Sequence, residues 1–308
     1  MIKTIIIFVV LIVASEICSF AATIAIIKAK NLVIFNEAIT AFRTNCNARF
    51  VEYDMEDKDE RGEQITKKIA ADKPDMVFVL GTKAALVARK NIKDIPVIFS
   101  MVFNPENYDL NADNISGIAM EIPVVVQLRT LKSIVPKISK VGVIYNPKKT
   151  NRLIDEAMVL SKELGFTLVT AKVDSKEDVT RALRAFAEGI DAFWMLSDPS
   201  VWSKESFETV LQFTIDKRVP FLAYSKAMVQ AGALVSLAIN YSSIGQQACT
   251  MANKISQGTP VKQMKIVPPI GLELSFNMNT ARLIGFTEIA TNAVTFAANE
   301  GYKISVEQ

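Results

Sequence analysis

From Thr23 onward, short apolar runs alternate with longer amphipathic ones. The apolar runs are Thr23–Ile27, Met76–Leu80, Val97–Met101, Val141–Tyr145, Leu168–Val173, Ala192–Leu196, Pro220–Ala223 and Ala233–Ile239. Most are continuous and lack in–out alternation, which predicts parallel strands covered on both faces. Between them the period changes. Leu153, Ala157, Leu160 and Leu164 recur at i, i+4, i+7 and i+11, one stripe of a helix. Val179, Ala182, Leu183 and Phe186 form another stripe behind Ser175, an expected N-cap with Asp178 three positions on. A third stripe is Ile244, Ala248, Met251 and Ile255. It is expected to open at Ser243 and Gln246 in capping-box spacing and to close at Gly258.

Strand, helix, strand, helix predicts an α/β fold with doubly wound parallel sheets. The alternation pauses between Phe103 and Asn114, where Asn, Pro, Asp and Tyr cluster. A first lobe is expected to end shortly after, around Glu121-Ile122-Pro123. With 308 residues the chain exceeds one compact core of ordinary size, so two lobes are expected.

Composition narrows the function. The chain is 50% hydrophobic and 22% charged, enough apolar content to bury a core. The formal net charge of +3 comes without a basic run or arm, so nucleic acid is not an expected partner. Histidine is absent, which removes the commonest general base and metal ligand together. Three scattered cysteines do not replace it, and neither a metal nor a cofactor is expected.

The N-terminus bears on compartment. Lys3, the apolar run Ile5 to Ala14, and then Ser19-Phe20-Ala21-Ala22 have the order of a secretory signal peptide over residues 1–22. Glu16 cuts the run short of the roughly 20 residues a membrane span needs. Ser15-Glu16-Ile17 before Cys18 lacks the small, apolar approach of a lipoprotein site. The mature chain is therefore expected in the periplasm or at the cell exterior. Its cysteines, Cys46 and Cys249, either bridge or stay as two buried thiols, and the sequence alone does not choose.

Catalytic motifs fail. No Gly-rich dinucleotide fingerprint, Walker loop or nucleophile elbow is present. Asp57, Asp59 and Gly62 fit a calcium loop, but Arg61 and Lys68 occupy places that need oxygen ligands, so the stretch reads as a solvated helix start. What remains are polar turns after strands: Gly81-Thr82-Lys83, Ser100 with Phe103-Asn104, Asn146-Pro147, Ser197-Asp198-Pro199 and Tyr224-Ser225. In open α/β sheets that edge binds ligands. Each such residue type is also an ordinary N-cap. Their recurrence in both halves of the chain predicts one shared cleft.

Several segments carry a resemblance. They are Gly81-Thr82 with Ala84-Ala85, Ile95 to Val102 leading to Asn104-Pro105, Asn114-Ile115-Ser116-Gly117, and Val141 to Pro147. Further along come Ile190-Asp191-Ala192, Ser197-Asp198, Gly232-Ala233-Leu234, Asn240-Tyr241, Gly245 to Ala248, Gly258-Thr259-Pro260, and Asn277 with Ala281 and Leu283-Gly285. In order and spacing, from about Lys73 to Gly285, the chain resembles the ABC-transporter substrate-binding proteins of the tryptophan/tyrosine-binding type. The first 70 residues and the tail from Phe286 to Gln308 fall outside that pattern.

The resemblance implies a type I periplasmic-binding fold, two Rossmann-like lobes with parallel sheets joined by a three-strand hinge. One lobe would hold residues 23–121 and 241–270, the other 122–240 and 271–308, which puts Cys46 and Cys249 in the same lobe. It implies a monomer that closes on a small solute, an aromatic or branched amino acid or a related compound, and presents it to a membrane permease or a membrane sensor. By resemblance Thr82 would hold a carboxylate, Asp198 an ammonium group, and Phe103 or Tyr224 would cover an apolar side chain. Ser100, Asn104, Asn146 and Ser197 complete the expected site. Phe103-Asn104-Pro105 stands where the family has Thr-Asp-Pro, and Asn240 where it has Asp, which widens the choice of ligand. Only Asp198 among carboxylates stands at a strand end, so catalysis by a carboxylate pair is not expected.

Overall fold

The computed structural model describes residues 22–110 and 112–307. The leader expected over residues 1–22 lies outside the described residues but for Ala22. The first half of the chain runs β1 (Thr23–Lys28), α1 (Val33–Asn45), β2 (Arg49–Asp54), α2 (Asp59–Asp72), β3 (Met76–Leu80), α3 (Thr82–Asn91), β4 (Val97–Val102) and β5 (Ile115–Ala119). These strands form one parallel sheet in the order β2-β1-β3-β4-β5. The central strands β3 and β4 are buried at every position, which explains runs that are apolar but for Ser100.

After α4 (Val124–Ile134) a second sheet begins. It is built from β6 (Lys140–Tyr145), α5 (Pro147–Glu163), β7 (Thr167–Lys172), α6 (Val179–Ala182), β8 (Ala192–Trp194), α7 (Lys204–Asp216), β9 (Phe221–Ala223), α8 (Lys226–Gln230) and β10 (Val235–Ile239). The chain then returns to the first sheet through α9 (Tyr241–Ser256). It comes back to the second as β11 (Leu272–Asn277), α10 (Met278–Ile284), α11 (Ile289–Glu300) and β12 (Lys303–Glu307). The second sheet has the order β12-β11-β10-β9-β8-β6-β7, with β11 antiparallel to β10 and the other pairs parallel. The tail that the family pattern left unassigned thus becomes a packed helix and an edge strand.

Burial follows the sheets. One core joins residues of the first sheet and its helices to Ile244, Ala248, Met251 and Ala252 of α9, while two further clusters flank the second sheet. Chain crossings at Met120–Pro123, at Asn240 and at 268–271 connect the lobes. Two of them run side by side, with the Asn240 N–H donating to the Gly271 carbonyl at 3.0 Å. Cys46, at the end of α1, is joined to Cys249 of α9 with 5.5 Å between their Cα atoms. No described helix is long and apolar enough to cross a membrane.

Two local expectations need correction. The stripe from Val179 to Phe186 is not one helix but a four-residue α6 between 3-10 turns, and the Ser175 side chain caps none of them. Helix α9 opens at Tyr241, not Ser243. Asn240 leaves β10 in an extended conformation, and its side chain accepts the Ser243 N–H at 3.3 Å, so the cap falls three residues earlier. The acidic stretch from the end of β2 onward is held by cations: Lys28 reaches Asp54 at 3.6 Å, Arg61 reaches Glu56 at 2.8 Å, and Lys83 reaches Asp57 at 3.0 Å.

Candidate functional site

The C-terminal edges of both sheets face each other across a cavity of about 520 Å³. Its first-lobe wall comes from the end of β4. There the register with β5 shifts between Phe99 and Val102, and Met101 and Asn104 take positive φ values of 58° and 45°. Such irregularities re-aim side chains at strand ends. Phe103 emerges 47% exposed and lines the cavity with Asn104 and Glu106.

The floor is the first crossing. Met120, Glu121 and Ile122 face the cavity, as does Gln127 in the first turn of α4. Gln127 is fixed at both ends of its amide: it donates to the Ile122 carbonyl at 2.7 Å and accepts from the indole N–H of buried Trp194 at 2.9 Å.

The opposite wall follows β6, β8, β9 and β10. Lys148, Lys149, Thr150, Arg152 and Leu153 come from the start of α5, and Ser197, Tyr224 and Ser225 from the next two strand ends. Leu237, Ile239 and Tyr241 close it. Burial pushes the phenols of Tyr224 and Tyr241 above the ordinary range, with Asp198 and Glu37 respectively adding to it, so both rings stay protonated donors at neutral pH.

Of the residues expected from sequence, Phe103, Asn104, Ser197 and Tyr224 line this cavity, while Thr82, Ser100, Asn146 and Asp198 do not. The physical reason is that several strand-end polar residues serve their own turns. Asn146 caps α5 by accepting the Lys148 N–H at 3.0 Å, and its amide donates to the Asp174 carbonyl at 2.9 Å. Asp198 is buried and accepts from the Ser200 N–H at 2.9 Å, the Ser200 hydroxyl at 2.6 Å and Thr150 at 3.3 Å. Its oxygens are occupied before any ligand arrives. Ser100 is wholly buried below the sheet edge with no partner for its hydroxyl. Thr82 opens α3 behind Gly81, whose φ of 93° turns the chain where a side chain would meet Phe35 and Ala29.

Sequence reasoning missed Glu121, Gln127, Arg152 and Tyr241. One signal was available: Lys148, Lys149 and Arg152 crowd the opening turns of α5, whose first turn holds no acid and where the helix dipole disfavours cations. Arg152 is the hub of the site's electrostatics. Its Nη2 lies 3.2 Å from Glu106 and 3.6 Å from Glu121, and its Nη1 4.0 Å from Glu156. Burial holds the Glu121 carboxyl above its ordinary range; Arg152 opposes that, and Glu106 and Glu156 add to it. With the Asn104 amide turned as its surroundings require, its nitrogen donates to both Glu121 oxygens at 3.3 Å. Among the described residues no cluster of three metal-ligating side chains occurs.

Comparison with known proteins gives this geometry a context. A family profile described as ABC transporter substrate binding protein matches residues 46–296. The chain is 23% identical over 246 residues to a tyrosine-binding protein of Clostridioides difficile, covering 77% of this chain and 71% of that one. Its fold matches the ligand-free, open structure of a Clostridium difficile substrate binding protein with adhesive properties. That match has a TM-score of 0.75 at 22% identity, over 93% of this chain and 100% of the other. A Streptococcus ABC domain in complex with L-Trp matches with a TM-score of 0.60 at 18% identity, over 93% and 99% of the two chains.

Proposed function

The chain belongs to the ABC transporter substrate binding protein family, and we propose that its cleft takes an amino acid with an aromatic or branched side chain. The observation that carries this reading is the cavity itself. It opens between the C-terminal edges of two sheets, with Phe103, Tyr224, Tyr241 and Leu237 offering apolar surface and charged groups beside them. Each lobe contributes part of the wall, so a ligand that touches both favours the closed arrangement by its differential affinity. The names of the relatives that bind tyrosine and tryptophan support the same class.

In this reading the protein acts outside the cytoplasm, as a monomer, and presents the closed form to a membrane permease. It binds without turnover. The test is thermal melting of the mature chain against an amino-acid panel. A ligand at about 100 times its dissociation constant adds about 2.7 kcal/mol of stability. Shifts with aromatic or branched amino acids support the proposal; a panel without any shift rejects it.

A further inference from the structure

The charges around Arg152 do not balance. Glu106, Glu121 and Glu156 converge on its one guanidinium, and among the described residues none of the three has another ion-pair partner. Three carboxylates against one cation leave two negative charges in excess. The three come from different places: Glu106 from the turn after β4, Glu121 from the first crossing, and Glu156 from α5 one turn beyond Arg152. Glu106 and Glu121 line the cavity and also the adjoining hollow behind the crossing, where Glu156, which does not line the cavity, joins them beside Pro123 and Pro268.

Glu121 is the more sequestered of the two that face the cavity, with its side chain 26% exposed against 53% for Glu106. Desolvation makes its charge costly, and the Asn104 amide and one shared guanidinium compensate it only in part. A carboxylate in that position gains from a second cation more than a solvated one does. Asp198, to which the family resemblance gave the ammonium group, is buried, accepts from Ser200 and Thr150, and does not line the cavity.

A cationic group also lines the cavity. Lys149 stands three residues before Arg152 on α5 and makes no ion pair among the described residues, while its neighbour Lys148 is held by Asp174 at 3.0 Å. Residues so spaced on a helix are neighbours, about 5–6 Å apart at Cβ. The cavity wall therefore presents an anionic pole only partly compensated through Arg152, and an unpaired cation one helix turn from Arg152. Opposite charges on one wall suit a zwitterion.

We infer that Glu121, supported by Glu106, seats the ammonium group of the ligand, and that Lys149 faces its anionic group. This rests on the amino-acid reading proposed above and assigns its polar ends to residues of this chain. Arg152 positions both carboxylates and keeps the crossing attached to α5, without itself being the ligand's partner.

The experiment is calorimetric titration of the mature protein with matched sets: L-tyrosine, L-phenylalanine and L-leucine, each beside its deaminated acid and its decarboxylated amine. Wild type should prefer amine-bearing members over the deaminated acids by about tenfold or more, the size of one charge-assisted hydrogen bond. Glu121→Gln should erase that preference while leaving the deaminated acids within about twofold. Lys149→Met should weaken the acids and spare the amines. Glu156→Gln, at a residue that does not line the cavity, should leave the preference between amines and acids within about twofold. Glu106→Gln, at a half-exposed position that tolerates substitution, should reproduce the Glu121 effect at about two- to fivefold.

The assignment is overturned if wild type binds the deaminated acids as tightly, or if Glu121→Gln weakens acids and amines alike. Binding of the simple amines without the amino acids upholds the Glu121 seat and removes the amino-acid reading. A protein that binds only uncharged solutes loses both.

Discussion

The indole N–H of Trp194 donates to Gln127 at 2.9 Å, and the Gln127 amide in turn donates to the Ile122 carbonyl at 2.7 Å. A wholly buried ring of the second sheet is thereby connected, through one cavity-lining side chain, to the first crossing between the lobes. The chain has two tryptophans, the other being Trp202. In a Trp202→Phe background, the Trp194 emission should change on ligand binding, since Gln127 moves with the crossing. Gln127→Leu should abolish that response and cost about 1–3 kcal/mol of unfolding free energy, because the buried indole loses its acceptor. Fluorescence titration and urea unfolding check the two halves.

Arg152 and Glu106 reach across the mouth of the cleft with side chains 62% and 53% exposed. Exposed pairs of this kind are worth about 0.2–1 kcal/mol. Glu106→Gln should therefore shift the open–closed balance of the empty protein toward open by about 1.4- to fivefold, with no measurable change in melting temperature. Small-angle scattering of the unliganded protein should register a larger radius of gyration in the variant. At about 1 M salt, where screening acts within roughly 3 Å, variant and wild type should converge.

The strands covered on both faces, such as β3 and β4, were legible because every position but Ser100 is apolar. β2 and β12 were not. Each is an edge strand broken by polar residues, Arg49, Glu52 and Asp54 in one and Lys303, Ser305 and Glu307 in the other, and a search for continuous apolar runs passes over them. β11 is interior, yet Glu273 and Ser275 interrupt its apolar residues in the same way. In the site, the strand-end rule found Phe103, Asn104, Ser197 and Tyr224 because their turns open directly on the cleft. It also selected Asn146 and Asp198, whose side chains satisfy their own turns, a competition that spacing does not reveal. Glu121 and Arg152 meet only because a crossing passes the second turn of α5, and that proximity is tertiary.

Burial raises the Glu121 carboxyl above its unfolded value of 4.5. A carboxyl shifted in this direction costs stability when ionised in the folded state. The cost is present above the folded-state pKa, falls as pH drops through it, and is gone below about 4.5, where folded and unfolded states are both protonated. Glu121→Gln should accordingly melt higher than wild type at pH 7, and the difference should close as the pH approaches 4. Melting curves between about pH 4 and pH 8 decide it; a difference that widens toward acid pH contradicts the environment described for Glu121.

Gly245, in the second turn of α9, faces α1 at close range. A Cβ placed there would meet the Ala38 carbonyl oxygen, come within 2.6 Å of the Phe42 nitrogen and within 2.8 Å of the Ala41 Cβ. Two effects compete in Gly245→Ala. Helix propensity favours alanine by about 1 kcal/mol, but overpacking costs about 1–3 kcal/mol or more. Two of the obstructing atoms are backbone and the third is an alanine Cβ, so none can swing away and the packing cost wins. Net destabilisation by denaturant unfolding is the expected outcome, with ligand affinity of the folded fraction unchanged.

The same α1–α9 seam carries the Cys46–Cys249 bond, which spans 203 residues of sequence and encloses strands β2 to β10 in one loop. Cross-linking residues so far apart restricts the unfolded chain strongly, and loss of a native disulfide costs roughly 2–5 kcal/mol. Neither cysteine lines the cavity. The double variant Cys46→Ala/Cys249→Ala should therefore unfold at lower urea concentration by that amount, yet bind the same ligand within about twofold. Treatment of wild type with a reductant should reproduce the stability loss and leave the double variant unmoved. Equal stability of reduced and oxidised wild type would mean that α1 and α9 hold together by packing alone, with Phe42, Ala248 and the contact at Gly245 sufficient for the seam.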